Sequence, residues 1–428
     1  MTSHDFSIKL NKPDEENKSH SKNELSFEIQ GDNIYGLDKS VINGIRRTLL
    51  TDINTCAFNE NNIMININKS SLHNEFLKQR ISLIPLYINP DDYEYLLFKL
   101  KVKCDVSIKN VTVDMFDIYR VNADTNHQLK IQQNMDYLSD EDNIREKLKT
   151  LDTTYYDMDK PLNESDKKEI FRPIEFEGIT SYFLLTELKQ LNSEKEFEEI
   201  ELYCIPDINT GRHHARYNNL STVVYTFKKN NELFDSVLAS KIKLNKIKNV
   251  EEYSKHLKIS ESERYYYRDI NNEPYWYNFK ILSNHFYDSE HLFIQSMDIL
   301  LTKFELMKNK ISYIQDESME TDFTLNLYKN ELCYKLNMPE EDDTTGNMIQ
   351  CHTVNKFIDD SSFIQFCGYK KPHPLKNEIF MTIMIKPNEY SNPQRINFII
   401  KFLVDVIEDL INLLDRFKTM FIKDIKNL

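Results

Sequence analysis

In "NPQRINFIIKFLVDVIEDLINLLDRFKTMFI", Asn392 to Ile422, the residues Ile396, Ile399, Ile400, Leu403, Ile407, Leu410, Ile411, Leu414 and Phe417 recur at helical spacing. They form one apolar face of a helix that Asn392 or Pro393 starts. A helix cannot bury its own face, so this one needs a partner. "YDSEHLFIQSMDILLTKFELMKNKI", Tyr287 to Ile311, supplies a second amphipathic helix, opening at Asp288 or Ser289. "SVINGIRRTLLTDI", Ser40 to Ile53, supplies a third, with Val41, Ile45 and Leu49 on one stripe and Arg46 and Arg47 off it. If roughly ten aliphatic side chains bury along such faces, gross stabilisation is on the order of 15–30 kcal/mol before entropy is counted.

The elements around these helices repeat. Leu25, Phe27 and Ile29 alternate as a half-buried strand ahead of the helix at 40–53. After a short acidic segment, "SYIQDESMET" (312–321), Phe323, Leu325 and Leu327 alternate again, and a further strand reaches Leu336. The acidic loop in "PEEDDTTGNM" then leads into a helix with Met348 and Ile349 near its start. Strand, loop, helix and long amphipathic helix thus occur twice, which predicts that the two halves pack on each other. Inside the first copy lie a strand at Ile63, Ile65 and Ile67, a short helix ended by Pro85, strand-like runs over 92–118 and a polar excursion over 121–170.

With 428 residues and 40% hydrophobic content, the chain has room for two or three folded domains. No apolar run approaches the roughly 20 residues that cross a bilayer. The N-terminal residues lack the apolar core of a secretory signal and read as a polar tail over 1–22. The six cysteines, Cys56, Cys104, Cys204, Cys333, Cys351 and Cys367, contain no CxxC spacing, so neither a disulfide framework nor a metal site is expected. The net charge of −14 argues against extensive contact with a phosphate backbone. Seven glycines among abundant Asn, Ile, Lys and Tyr suggest a genome rich in A and T.

Two histidine motifs invite a catalytic reading. In "FCGYKKPHPLKNEIFMTIMIK", Phe366 to Lys386, Pro372 and Pro374 fix φ and withhold N–H groups. The motif reads as a rigid bend feeding the strand from Glu378, and His373 takes a structural or interface role. His213 and His214, in "GRHHAR", would face opposite ways on a strand, and no nucleophile with an orienting carboxylate is patterned beside them. The acidic runs Glu340–Asp343 and Ser193–Glu201 lack a ligand-spaced loop and read as solvated faces.

"NGIRRTLLTDINTCAF" resembles the helix signature of the alpha-like assembly subunits of cellular RNA polymerases, and "HNEFLKQRISLIPL" resembles the next motif of the larger member, the third subunit of RNA polymerase II. "GRHHARYNNLSTVVYTF" is similar to a later motif of that subunit. "DDTTGNMI" and "FCGYKKPHPL" resemble the two signatures of its small partner, the eleventh subunit. The five motifs follow family order over 24–420, and both partners in one chain is an arrangement of large cytoplasmic DNA viruses, poxvirus-like lineages among them. Two departures stand out: the cysteine cluster of many cellular third subunits is missing, and Gln350 stands where the small subunit commonly has arginine.

The resemblance implies an α+β fold with two alpha-like dimerisation modules, the first (23–59 and 213–311) interrupted by a β-rich inserted domain (60–212). A linker (312–321) leads to the second module (322–428). It implies a non-catalytic assembly subunit of a viral DNA-directed RNA polymerase that nucleates association of the two largest subunits. A small subunit of the ten-kilodalton class is a further partner, with no membrane contact, little or no DNA contact and no cofactor. The expected location is virion and host cytoplasm if viral, nucleus if cellular. Arg46, Arg47, Arg80, His214, Arg216, Tyr369, Lys370 and His373 are the residues expected to meet the large subunits. Val41, Ile45, Leu49, Met348, Ile349, Ile399, Leu403, Ile407, Leu410 and Leu414 are those expected in the internal dimer seam. Two rival readings stay open on the residues: a standalone adaptor on the same dimerisation fold, and an enzyme using His213 and His214.

Overall fold

The computed structural model describes residues 6–10, 23–32, 37–121, 156–176, 178–190, 197–218, 220–245, 249–284, 286–315, 320–358 and 362–426. Most of the expected tail (1–5 and 11–22), most of the polar excursion (122–155) and the middle of the expected linker (316–319) lie outside the described residues. The chain divides into two compact units, Met1–Leu50 with Ser221–Ser283 and Asp288–Leu428, and Thr51–Leu220 with Asn284–Tyr287.

The first unit is built from one element order used twice. It begins with β1 (Ser7–Leu10), β2 (Glu24–Gln30), α1 (Lys39–Thr51) and β3 (Leu220–Phe227). Next come α2 (Asn231–Asn245), α3 (Val250–Glu261), β4 (Trp276–Ser283) and α4 (Ser289–Ser312). The second pass comprises β5 (Thr324–Tyr328), β6 (Asn330–Pro339), α5 (Asp343–His352), β7 (Ile364–Lys370), β8 (Glu378–Ile385) and α6 (Asn392–Lys426). The sheets run β1-β2-β4-β3 and β5-β6-β8-β7. Each therefore orders its strands first, second, fourth, third, with a shorter helix after the second strand and a longer one after the fourth. The first pass carries the larger additions: α2 and α3 between β3 and β4, and Thr51–Leu220, the bulk of the second unit, between α1 and β3.

The repeat is more complete than the alternation in the sequence suggests. Residues 7–10, read as tail, form the edge strand β1, paired antiparallel with β2 from Ser7↔Gln30 to Leu10↔Phe27. "SIKL" is too short for periodicity to register, yet Phe6, Ile8 and Leu10 are buried. In β5 the expected alternation stops at Leu327, and a bulge follows between Leu327 and Tyr328 beside Lys329 at φ 67°. Leu327, the last residue before the bulge, is exposed.

Burial follows the helix stripes. On α1, Val41, Ile45 and Leu49 are buried; on α6, Ile399, Leu403, Ile407, Leu410, Leu414 and Phe417 are buried and joined by Val406 and Phe421, while Ile396 and Ile411 are half-buried. The far end of α6 closes over the first sheet. Phe293 of α4 lies 4.2 Å from Phe421, and Phe27 of β2 lies 5.1 Å from Phe293 and 5.4 Å from Phe421. Phe6 stacks on Phe417 at 5.2 Å. Helix α6 packs chiefly along α4, with β1 and α5 as further neighbours. Helix α1 is not among its principal neighbours.

The second unit centres on a four-stranded sheet in the order Asn54–Asn68, Glu199–Thr210, Leu96–Lys103, Asp117–Arg120. Pro206 fits within the second of these strands because the ladder slips between Cys204 and Pro206. Phe58, Phe98, Phe116 and Phe171 pack as one aromatic cluster at its core. Short helices at Asn74–Ser82 and Glu164–Ile170 are capped by His73 and Asn163. Cys104 and Cys204 are buried here, and burial pushes the Cys204 thiol up, so both serve as packing groups. Among the described residues no cluster of His, Cys, Asp and Glu is placed to hold a metal, and no helix is long and apolar enough to cross a membrane.

Candidate assembly interface

Within the first unit the two passes meet along a seam of helices. Asp38 accepts from the Ser40 N–H at the start of α1, and Asp342 accepts from the Thr344 N–H at the start of α5. The two helices cross where α1 has no side chain: a Cβ on Gly44 would lie 2.4 Å from Met348 Sδ. Met348 and Ile349 are fully buried. Gly346 has a second close approach, since a Cβ there would meet the Tyr369 ring at 2.7 Å and Ile379 at 2.9 Å. Glycine at 346 lets α5 lie directly on β7 and β8.

Polar contacts cross the same seam. Lys303 Nζ of α4 lies 3.3 Å from Glu341 Oε2 and 3.9 Å from Asp342 Oδ1. Thr345 Oγ1 donates to the same Glu341 oxygen at 2.9 Å. Glu341 and Asp342 are buried, which corrects the reading of the run Glu340–Asp343 as a solvated face. The signal was a lysine next to Phe304 in the apolar stripe of α4, opposite an acidic pair, and it becomes readable only once the two stripes are paired. Asn355 Nδ2 donates to Asp38 Oδ2 at 2.7 Å, the Leu10 N–H donates to Asp424 Oδ2 at 2.8 Å, and Lys418 pairs with Asp298.

A second polar cluster ties α5 to α6. His352 Nε2 lies 2.7 Å from Asp409 Oδ2, and Lys356 donates to the same oxygen. Burial pushes the Asp409 carboxyl up, but hydrogen bonds from His352 and Lys356, with the charges of those groups, reverse this and hold it down at about 2. A carboxylate depressed in the folded state contributes stability above its unfolded value of about 4, and that contribution is lost as pH falls through about 2. Between pH 5 and 2 the protein should therefore lose on the order of 1–2 kcal/mol more than Asp409→Asn does, read from urea unfolding midpoints. Equal pH profiles for the two would show that the cluster contributes nothing.

The eight residues expected to face large partners fall in both units. In the first unit, Arg46 and Arg47 are half-buried on α1, and Arg46 Nε donates to Asn43 at 3.0 Å. Burial raises the Tyr369 phenol above its ordinary range, the Asp343 carboxylate adds to this, and the nearby Arg47 charge opposes it. Lys370 is exposed next to Tyr369 on β7. His373 is exposed in the bend, where its Nδ1 accepts from the Leu375 N–H. Gln350 Oε1 accepts from the Tyr369 N–H at 2.9 Å and so fastens α5 to β7.

In the second unit, His213 and His214 lie in a turn after the strand ends at Thr210, which corrects the strand reading. His214 caps the short helix Ala215–Tyr217 by accepting from the Arg216 N–H. The Arg216 guanidinium is turned inward: Nη2 donates to Glu60 at 2.8 Å, Nη1 to the Phe58 carbonyl and Nε to His214. Arg212, His213 and His214 are exposed side chains of this turn. Arg80 Nη2 donates to the Leu184 carbonyl at 2.7 Å on an exposed helix face.

Residues 333–420, from β6 through most of α6, match the family model of the RNA polymerase Rpb3/Rpb11 dimerisation domain. The chain therefore carries a dimerisation domain of this type in its second pass. A stretch of 118 residues is 34% identical to DNA-directed RNA polymerases I and III subunit rpac1 of Dictyostelium discoideum, covering 24% of this chain and 32% of that protein. Another alignment, of 114 residues, is 35% identical to a conjugation stage-specific protein of Tetrahymena thermophila, covering 25% of this chain and 34% of that protein. The chain spans about a third of the length of these curated relatives.

Proposed function

We propose that this chain is a non-catalytic assembly subunit of a multisubunit DNA-directed RNA polymerase. In this reading two alpha-like modules, like the third and eleventh subunits of RNA polymerase II, are joined and paired within one chain. The paired modules form a platform for the two largest subunits and a small subunit of the ten-kilodalton class. One observation supports the reading: the second of two passes with the same strand order contains the matched dimerisation domain, and its helix α6 packs along α4 of the first pass. The joined arrangement and the glycine-poor composition extend the proposal to a viral enzyme, working in the host cytoplasm and packaged in the virion.

Affinity purification of the tagged chain from cells that make it, followed by mass spectrometry, tests the assignment. Two very large polymerase chains should be recovered in stoichiometric amounts; recovery of the chain alone or with unrelated proteins would refute it. Arg46→Glu with Arg47→Glu should lower that recovery roughly tenfold or more, because each charge-assisted contact contributes about 1.5–3 kcal/mol. The melting temperature should barely move, since both side chains lie off the buried stripe of α1. A collapse of the melting transition instead would make the two arginines structural.

A further inference from the structure

Gly44 and Met348 occupy the same place in the two passes. Gly44 stands six residues after Asp38 and Met348 six after Asp342, the aspartates that accept from N–H groups at the starts of α1 and α5. Around them the two helices share Asn43/Asn347 and Ile45/Ile349 in register. Contact between equivalent positions is what a two-fold pairing produces, because a residue on the axis meets its own counterpart. Here the counterparts differ. One is a glycine without a side chain, and the other is a fully buried methionine whose Sδ fills the space a Cβ at 44 would need.

Resting on the internally paired reading above, we infer that Gly44 and Met348 form a knob and hole that specifies pairing of the first module with the second and rejects pairing of either module with itself. Two first modules would place glycine against glycine and leave a void where Met348 now packs, while two second modules would drive methionine into methionine. Closely packed interiors penalise both errors. Lys303 acts in the same sense, since it comes from α4 and the buried carboxylates near it come from the second pass. The site therefore takes as partner only a helix of complementary size, small against methionine or large against glycine.

The test is a swap in the full-length chain. Gly44→Met should overfill the crossing and Met348→Gly should empty it, each lowering the melting temperature by about 4–10 °C. The swap Gly44→Met with Met348→Gly should recover more than half of the summed loss. Helix propensity gained at 44 is lost at 348, so any recovery reports the geometry of the crossing. If Gly44→Met does not fold, Gly44→Ala with Met348→Ala carries the same sign of coupling at smaller size. Losses that simply add in either pair would overturn the inference. Because these are unfolding measurements on the purified chain, that failure is separable from failure of the polymerase reading, which the affinity purification reports.

Discussion

Leu403→Asp is expected to leave the first unit without a cooperative thermal transition. Leu403 is 1% exposed, on the face of α6 that packs along α4. Losing its side chain costs about 2–5 kcal/mol, and a carboxylate held in that seam without a cation costs several more. Against a total stability of about 5–15 kcal/mol, such a sum removes most of the fold. Leu403→Met keeps the volume and should cost less than about 1.5 kcal/mol. Circular dichroism melts distinguish the two variants; a Leu403→Asp protein melting within a few degrees of the parent would show that this face is not the seam.

Lys303→Ala should be the most damaging single change of a charge. It removes the ammonium that lies 3.3 Å from the buried Glu341 carboxylate and 3.9 Å from that of Asp342. Removing one partner of a buried pair costs about 3–5 kcal/mol, and the residual solvent access of Lys303 reduces this to about 2–4 kcal/mol. Adding Glu341→Gln to Lys303→Ala should restore part of the loss, because the stranded charge is then gone. Chemical denaturation of the single and double variants measures this. A double variant no more stable than Lys303→Ala would mean that the cost arises from packing rather than charge.

Much of the first unit was legible because its signals are periodic and long. The stripes of α1, α4 and α6, the cap at Asp288 and the proline bend at 371–377 are each set by spacing or by backbone chemistry within one element. What escaped lacks such periodicity. β1 has four residues, and its identity depends on the hydrogen bonds β2 offers. Among the described residues of α2 and α3, Phe234 and Leu257 are the buried ones, so these helices present no stripe to find. At the site, Val41 is buried as its stripe predicts, and Met348 is buried against Gly44. Lys303, Glu341 and Asp409 could not be picked out by spacing, because their meaning comes from a partner distant in sequence. Arg216 shows the reverse: its motif marked it for attention, but only the fold reveals that Glu60 and the Phe58 carbonyl hold it inward.

The central claim is that two modules pair within one chain, and cutting the connection between them tests it most directly. A protease site placed between residues 315 and 320 divides the first unit between α4 and β5. With the α4–α6 seam and its crossing polar contacts intact, the two fragments should co-elute after cleavage on a sizing column at the volume of the uncut chain. Fragments that separate under native conditions would contradict the account.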